Sequence, residues 1–147
     1  MGMMAIDLTP FGNGILHMNS RVRIGDLTVG TSVTFLVGEH DLEQGPQKVF
    51  SQKHWSGSPC GNCENDSTCG TGWIGINQPH PTQGWGNDSA FGSNHPGGAH
   101  FVFCDGAVKF ISETIDSTPM IFDGQNIGTY QKLSKRDDGL VISGGSF

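Results

Sequence analysis

The residues here whose chemistry goes beyond packing are four cysteines, six histidines and a scatter of carboxylates. Cys60, Cys63 and Cys69 lie close together and Cys104 is distant. Thiolates at such spacing can close a structural zinc site, as four sulfurs or as three with an imidazole. Such sites favour two Cys-x-x-Cys pairs, and only Cys60 and Cys63 form one. The even count equally suits two disulfides, for which three pairings exist. Glu64, Asp66, Asp116, Asp123, Asp137 and Asp138 supply hard oxygens for calcium, without a helix–loop–helix calcium motif. His95 and Asp105 could act as a general base and its orienting carboxylate. Both also have structural uses, His95 before Pro96-Gly97-Gly98 and Asp105 in a turn. No nucleophile, phosphate loop or pair of carboxylates converges on them, so no residue is assigned as catalytic and the chain is not read as an enzyme. Trp55, Trp73 and Trp85 suit a glycan- or partner-binding surface, or plugs that fix a loop onto a sheet; the large area an aromatic buries favours packing.

These residues need elements to position them. The clearest is a hairpin. Ala99 to Cys104 and Ala107 to Ile111 are apolar and β-branched runs around Asp105-Gly106, a strong turn signal. A two-residue loop would oppose Cys104 with Ala107, Phe103 with Val108 and Phe101 with Phe110. Alternation then places Phe101, Phe103, Val108 and Phe110 on the core face, and His100, Val102, Cys104, Ala107, Lys109 and Ile111 on the other. Ser32 to Val37 is predicted as a strand. Ser20 is the expected cap of a helical turn through Leu27. Gly12-Asn13-Gly14 suits a turn ahead of the apolar Ile15 to Met18. A short helix is expected over Asn126 to Arg136, capped by Asn126 and ended near Gly139, with an edge strand at Leu140 to Ile142.

Composition sets the class. Glycine is 23 of 147 residues and charged residues are 15%, which argues against a helical bundle because interior glycine costs a helix about 1 kcal/mol. There is no glycine every third residue, so collagen is excluded. One domain, 1–147, is expected, with an irregular Cys/Trp/Gly-rich loop at 51–98 that carries the sequons at Asn65 and Asn87. The net charge of −6 disfavours a nucleic-acid surface, which needs a positive field. The densest basic group, Lys132, Lys135 and Arg136, is followed at once by Asp137 and Asp138. No run approaches the ~20 apolar residues that span a membrane, and Met1 to Leu8 lacks the basic start and cleavage site of a signal peptide.

The run from His95 to Ile111, a His, nine residues, then Asp105-Gly106 and Ala107-Val108-Lys109-Phe110, resembles the signature of the prepilin-type processing-associated domain, a pilin-like family abundant in planctomycetes. Asn13 to Ile24 is similar to the family's first half, Asp26 to Glu39 to its segment ending Val-Gly-Glu, and Tyr130 to Gly139 to its closing helix and turn. The family-motif positions are thus Glu39, His95, Gly97, Gly98, Asp105 and Gly106. Val29 and Val33 stand where the family has Asp and Asn, Cys104 replaces a small residue, and Asp137-Asp138 replaces a less acidic pair.

The resemblance implies an α+β, mainly β fold: an antiparallel sheet in a pilin-like globular head, with one or two short helices and a long glycine-rich loop. It implies a structural, non-catalytic subunit of a surface or secretion filament, or an exported surface protein. The location would be extracellular, cell-surface or periplasmic, and the partners like subunits or other pilin-type proteins, with no nucleic acid. Membrane contact would come only through an N-terminal apolar helix that these residues do not include. An oxidising compartment favours disulfides, with Cys104 joined to Cys60, Cys63 or Cys69. No cofactor is required. Calcium at Asp123, Asp137 and Asp138 is implied by related heads, and zinc is the alternative, as part of a small metal- or glycan-binding module built on the Cys/His/Trp loop.

Overall fold

The computed structural model describes residues 14–16, 21–40, 72, 75–78, 91–118, 127–137, 139, 142 and 147, and the backbone of 43–44 and 49–50. Its strands are β1 (Phe35–Gly38), β2 (Glu43–Gln44), β3 (Val49–Phe50), β4 (Gly98–Phe103) and β5 (Val108–Ser112), followed by one helix, α1 (Thr129–Leu133). Two 3-10 turns, Ile24–Asp26 and Thr31–Val33, precede β1. β4 is central in an antiparallel sheet of order β1-β4-β5, and β2 pairs with β3 separately. The fold is therefore α+β and mainly β, as expected.

The hairpin forms where the sequence places it, but with a different register. Val102 opposes Val108, Phe101 opposes Lys109 and Ala99 opposes Ile111. The Gly106 N–H donates to the Phe103 carbonyl at 2.9 Å, and the Phe103 N–H to the Ala107 carbonyl at 2.8 Å. The loop is thus Cys104-Asp105-Gly106, one residue longer than the Asp-Gly turn predicted. Only Gly106 is left-handed, at φ +87, the arrangement of a three-residue hairpin with a glycine bulge. One residue of slip exchanges the faces of β5. Ile111 is buried, whereas Val108 is 63% and Phe110 46% exposed. Lys109 turns to the core side, its Nζ 4.6 Å from the ring centres of both Phe103 and Phe147.

The core lies on the face of β4 that carries Ala99, Phe101 and Phe103, joined by Phe35, Ile76, Phe91, Ile111, Tyr130 and Leu133. Phe35 stacks on Phe101 at 4.2 Å and meets Phe103 edge-on at 5.1 Å. Such contacts add to the large area each ring buries.

Other elements are shorter than expected. Thr31–Val33 coils as a 3-10 turn because the Val33 N–H and the Thr34 hydroxyl both donate back to the Gly30 carbonyl, at 3.3 and 2.9 Å; the strand starts only at Phe35. The turn expected before Leu27 is the 3-10 segment Ile24–Asp26, closed by the Arg23 N–H donating to Asp26 Oδ2 at 2.7 Å; Ser20 lies outside the described residues. α1 begins at Thr129 after Gly128 rather than after Asn126, which also lies outside them. Its opening donor, the Thr129 N–H, is met from another segment, by Asp116 Oδ2 at 3.1 Å. Gly12 and Asn13 lie outside the described residues, and Ile15 is buried. Of the edge strand expected at Leu140 to Ile142, only Ile142 is described; it packs against the core outside any strand.

Candidate functional site

β1 carries a bulge, and the bulge builds the site. Phe35 opposes Phe103, but two residues later Val37 opposes Val102, and Gly38 opposes Phe101. One extra residue has entered β1 at Leu36. Simple alternation from Phe35, which is buried in the core, would send residue 39 to the core face as well. The bulge reverses the parity, so Glu39 lies opposite His100 on the outer face. The Glu39 N–H donates to the His100 carbonyl at 3.0 Å, and the His100 N–H donates to Glu39 Oε2 at 2.8 Å. Gly38 must lack a side chain here: a Cβ would sit 2.6 Å from ring atoms of both Phe91 and Phe101.

The third residue arrives from the turn before β4. The Ser93 hydroxyl donates to the Gly98 carbonyl at 2.6 Å and accepts the His95 N–H at 3.0 Å. The Ser93 N–H donates to Asn77 Oδ1 at 2.8 Å, and Asn77 Nδ2 donates to Glu113 Oε2 at 2.9 Å. The Glu113 N–H in turn donates to the Gly97 carbonyl at 2.9 Å. This turn closes through Ser93, not through the imidazole of His95. That ring instead places Nε2 3.4 Å from Glu39 Oε1, while His100 Nδ1 lies 3.2 Å from Glu39 Oε2. The two imidazoles meet edge to face at 5.0 Å, and the far side of His100 meets the Phe110 ring at 5.1 Å.

One ligand atom from each of Glu39, His95 and His100 lies within 4.8 Å of the others. The three line a cleft of about 530 Å³ whose walls include Val37, His40, Asn94 and Val108. Burial raises the Glu39 carboxyl pKa, but the His100 N–H, the His100 ring and the charge of both imidazoles outweigh it, and the net shift is downward. Glu39 is therefore an anion at neutral pH, facing two nitrogen bases. Such a set can hold a cation or orient an imidazole as a base.

Of the family-motif positions, Glu39 and His95 come together, with Gly97 in the turn after His95 and Gly98 opening β4. Asp105 does not join them. It lies beyond the opposite end of β4, where its Oδ1 accepts the Ala107 N–H at 2.9 Å beside Gly106. The alternative base–carboxylate pair of His95 and Asp105 is not assembled: Asp105 serves the turn, and the carboxylate beside His95 belongs to Glu39. His100 carries no role in the sequence reading. Its signal was present, an imidazole on the outward face of a strand five residues after His95.

Among the described residues Cys104 is a free thiol, half-buried, with Sγ 3.8 Å from the Phe35 carbonyl oxygen. Burial, then the charge of Asp105, pushes its pKa up to about 11. Cys60, Cys63, Cys69, Trp55, Trp73, Trp85, Glu64 and Asp66 lie outside the described residues. So do Asp123 and Asp138, while Asp137 Oδ2 lies 3.6 Å from Arg136 Nε. Among the described residues no helix is long and apolar enough to cross a membrane.

Residues 5–118 match the model of a family described as a protein of unknown function, DUF1559. No curated protein and no solved structure matches the chain.

Proposed function

The chain belongs to the DUF1559 family, and from that starting point we propose that it is a structural, non-catalytic, pilin-like subunit of a surface or secretion filament, or a surface protein exported by such machinery. The observation that carries this reading is the outward face of β5. Val108 and Phe110 stand 63% and 46% exposed on one strand, next to each other on the same side of the sheet. Exposed apolar groups that cluster mark surfaces that meet other proteins. The resemblance of the run from His95 to Ile111 to the prepilin-type signature adds support, and that run forms this hairpin and its flanking turn. The proposed location is the cell surface or periplasm, and the proposed partners are like subunits or other pilin-type proteins.

The test is to follow the protein in its native cells. Surface shearing followed by cross-linking is expected to recover it outside the cytoplasmic membrane, joined to itself or to pilin-type proteins. Intact mass, measured before and after reduction, then reports its N-terminus and its thiols. Recovery as an uncross-linked cytoplasmic monomer would overturn the reading.

A further inference from the structure

We propose that Glu39, His95 and His100 form a binding site for one divalent transition-metal ion of the zinc class, open on its solvent side to a further ligand. The inference does not depend on the filament reading.

Spacing is the first argument. Zinc binds imidazole nitrogen and carboxylate oxygen at about 2.0–2.2 Å, which sets the edge of a tetrahedron of ligands at about 3.3 Å. The two carboxylate-to-imidazole separations here are 3.4 and 3.2 Å. These two sides, one through Oε1 and the other through Oε2, are each about one such edge long, and ligand atoms of all three residues lie within 4.8 Å of one another.

Donor type is the second. Two imidazoles with one carboxylate suit zinc, copper, nickel or cobalt, whereas calcium and magnesium take oxygen ligands. Three protein ligands leave a position open, as in zinc sites that bind water or an exogenous ligand. The cleft of about 530 Å³ in front of the three side chains gives that position room.

Preorganisation is the third. Glu39 is fixed opposite His100 by the β1 bulge and by the His100 N–H on Oε2. His100 is held against Phe110. The position of His95 is set by a turn whose bonds are made by Ser93 and Asn77. Supporting contacts of this kind orient ligands before metal arrives. A lock whose purpose was only to join β1 to β4 would be complete with Glu39 and His100. The His95 side chain is 54% exposed, and among the described residues its ring meets the other two members of the cluster. A chain of net charge −6 also draws cations to such a cleft.

The test uses the full chain, stripped with a chelator, with Zn²⁺ as the titrant and Co²⁺ as the spectroscopic probe. Because Cys60, Cys63 and Cys69 are alternative zinc ligands, a Cys60→Ser/Cys63→Ser/Cys69→Ser variant is titrated beside the wild type. One equivalent of Zn²⁺ is expected in both, with Co²⁺ bands that lack thiolate charge transfer. His95→Ala is on an exposed turn and should keep its circular dichroism while weakening Zn²⁺ at least about 100-fold, since loss of a mere supporting contact already costs 10–100-fold. His100→Ala should do the same. Binding that survives in His95→Ala, that vanishes in the cysteine variant, or that is absent from the wild type overturns the assignment.

Discussion

At the hairpin end of β4 the Asp105 carboxylate accepts an N–H two residues away; at the other end the Glu39 carboxylate accepts one 61 residues away. Both are exposed or half-buried acids bonded to backbone, yet they do different work. Asp105 completes a turn that its own neighbours specify. Glu39 joins β1 to β4 and collects two imidazoles that come from separate elements, a turn and a strand. The local end is a building device. The non-local end has donor atoms to spare, and those are what make it a site.

Substitutions can break this contrast. The largest effect is expected from Phe101→Ala, which removes the ring that stacks on Phe35 and covers Gly38. It should cost about 3–5 kcal/mol, read by denaturant unfolding, and should disturb both ends together. Gly38→Ala should cost about 1–3 kcal/mol through overpacking against Phe91 and Phe101, while Gly106→Ala should cost about 1–2 kcal/mol for a left-handed residue with a Cβ. The two differ in reach. Nuclear magnetic resonance shifts of the His95 and His100 rings should move in Gly38→Ala and stay in place in Gly106→Ala. Movement in both would mean that the two ends of β4 are not independent.

The smallest effect is in the acid limb of stability. The folded pKa of Glu39 lies below its ordinary value of 4.5, so its contribution is fully present above that value. It is lost as the pH falls through the lower, folded value. Thermal midpoints taken from roughly pH 6 to 3 should therefore fall less steeply in Glu39→Gln than in wild type. An unchanged slope would remove Glu39 from the charges that hold the sheet.

The sequence made the hairpin legible because Asp105-Gly106 and the alternating apolar residues around it are local signals. It made Phe101 and Phe103 core residues for the same reason. The register was not legible: whether Asp105 takes a left-handed backbone is decided by energy differences too small to read from residue types, and the answer inverted β5. The Glu39–His95–His100 cluster was less legible still. The bulge at Leu36 leaves no mark in composition, and the partners of Glu39 become neighbours only when β1 docks on β4. α1 was expected to be twice its length; it starts after Gly128, and its opening N–H is met by Asp116, which lies outside the helix's own segment.

Lys109 gives β5 a property unrelated to its packing. Among the described strands β5 is an edge, and an edge offers hydrogen bonds to any passing strand. A cation aimed inward at that edge, over Phe103 and Phe147, would have to be desolvated further before another strand could extend the sheet. Growth by strand addition, the route to amyloid-like polymers, is thereby penalised. The solvent-facing Val108 and Phe110 carry no such penalty. In the filament proposed above, contacts between molecules would use the broad side of the sheet and end in a docked pair of surfaces instead of an ever-longer ladder.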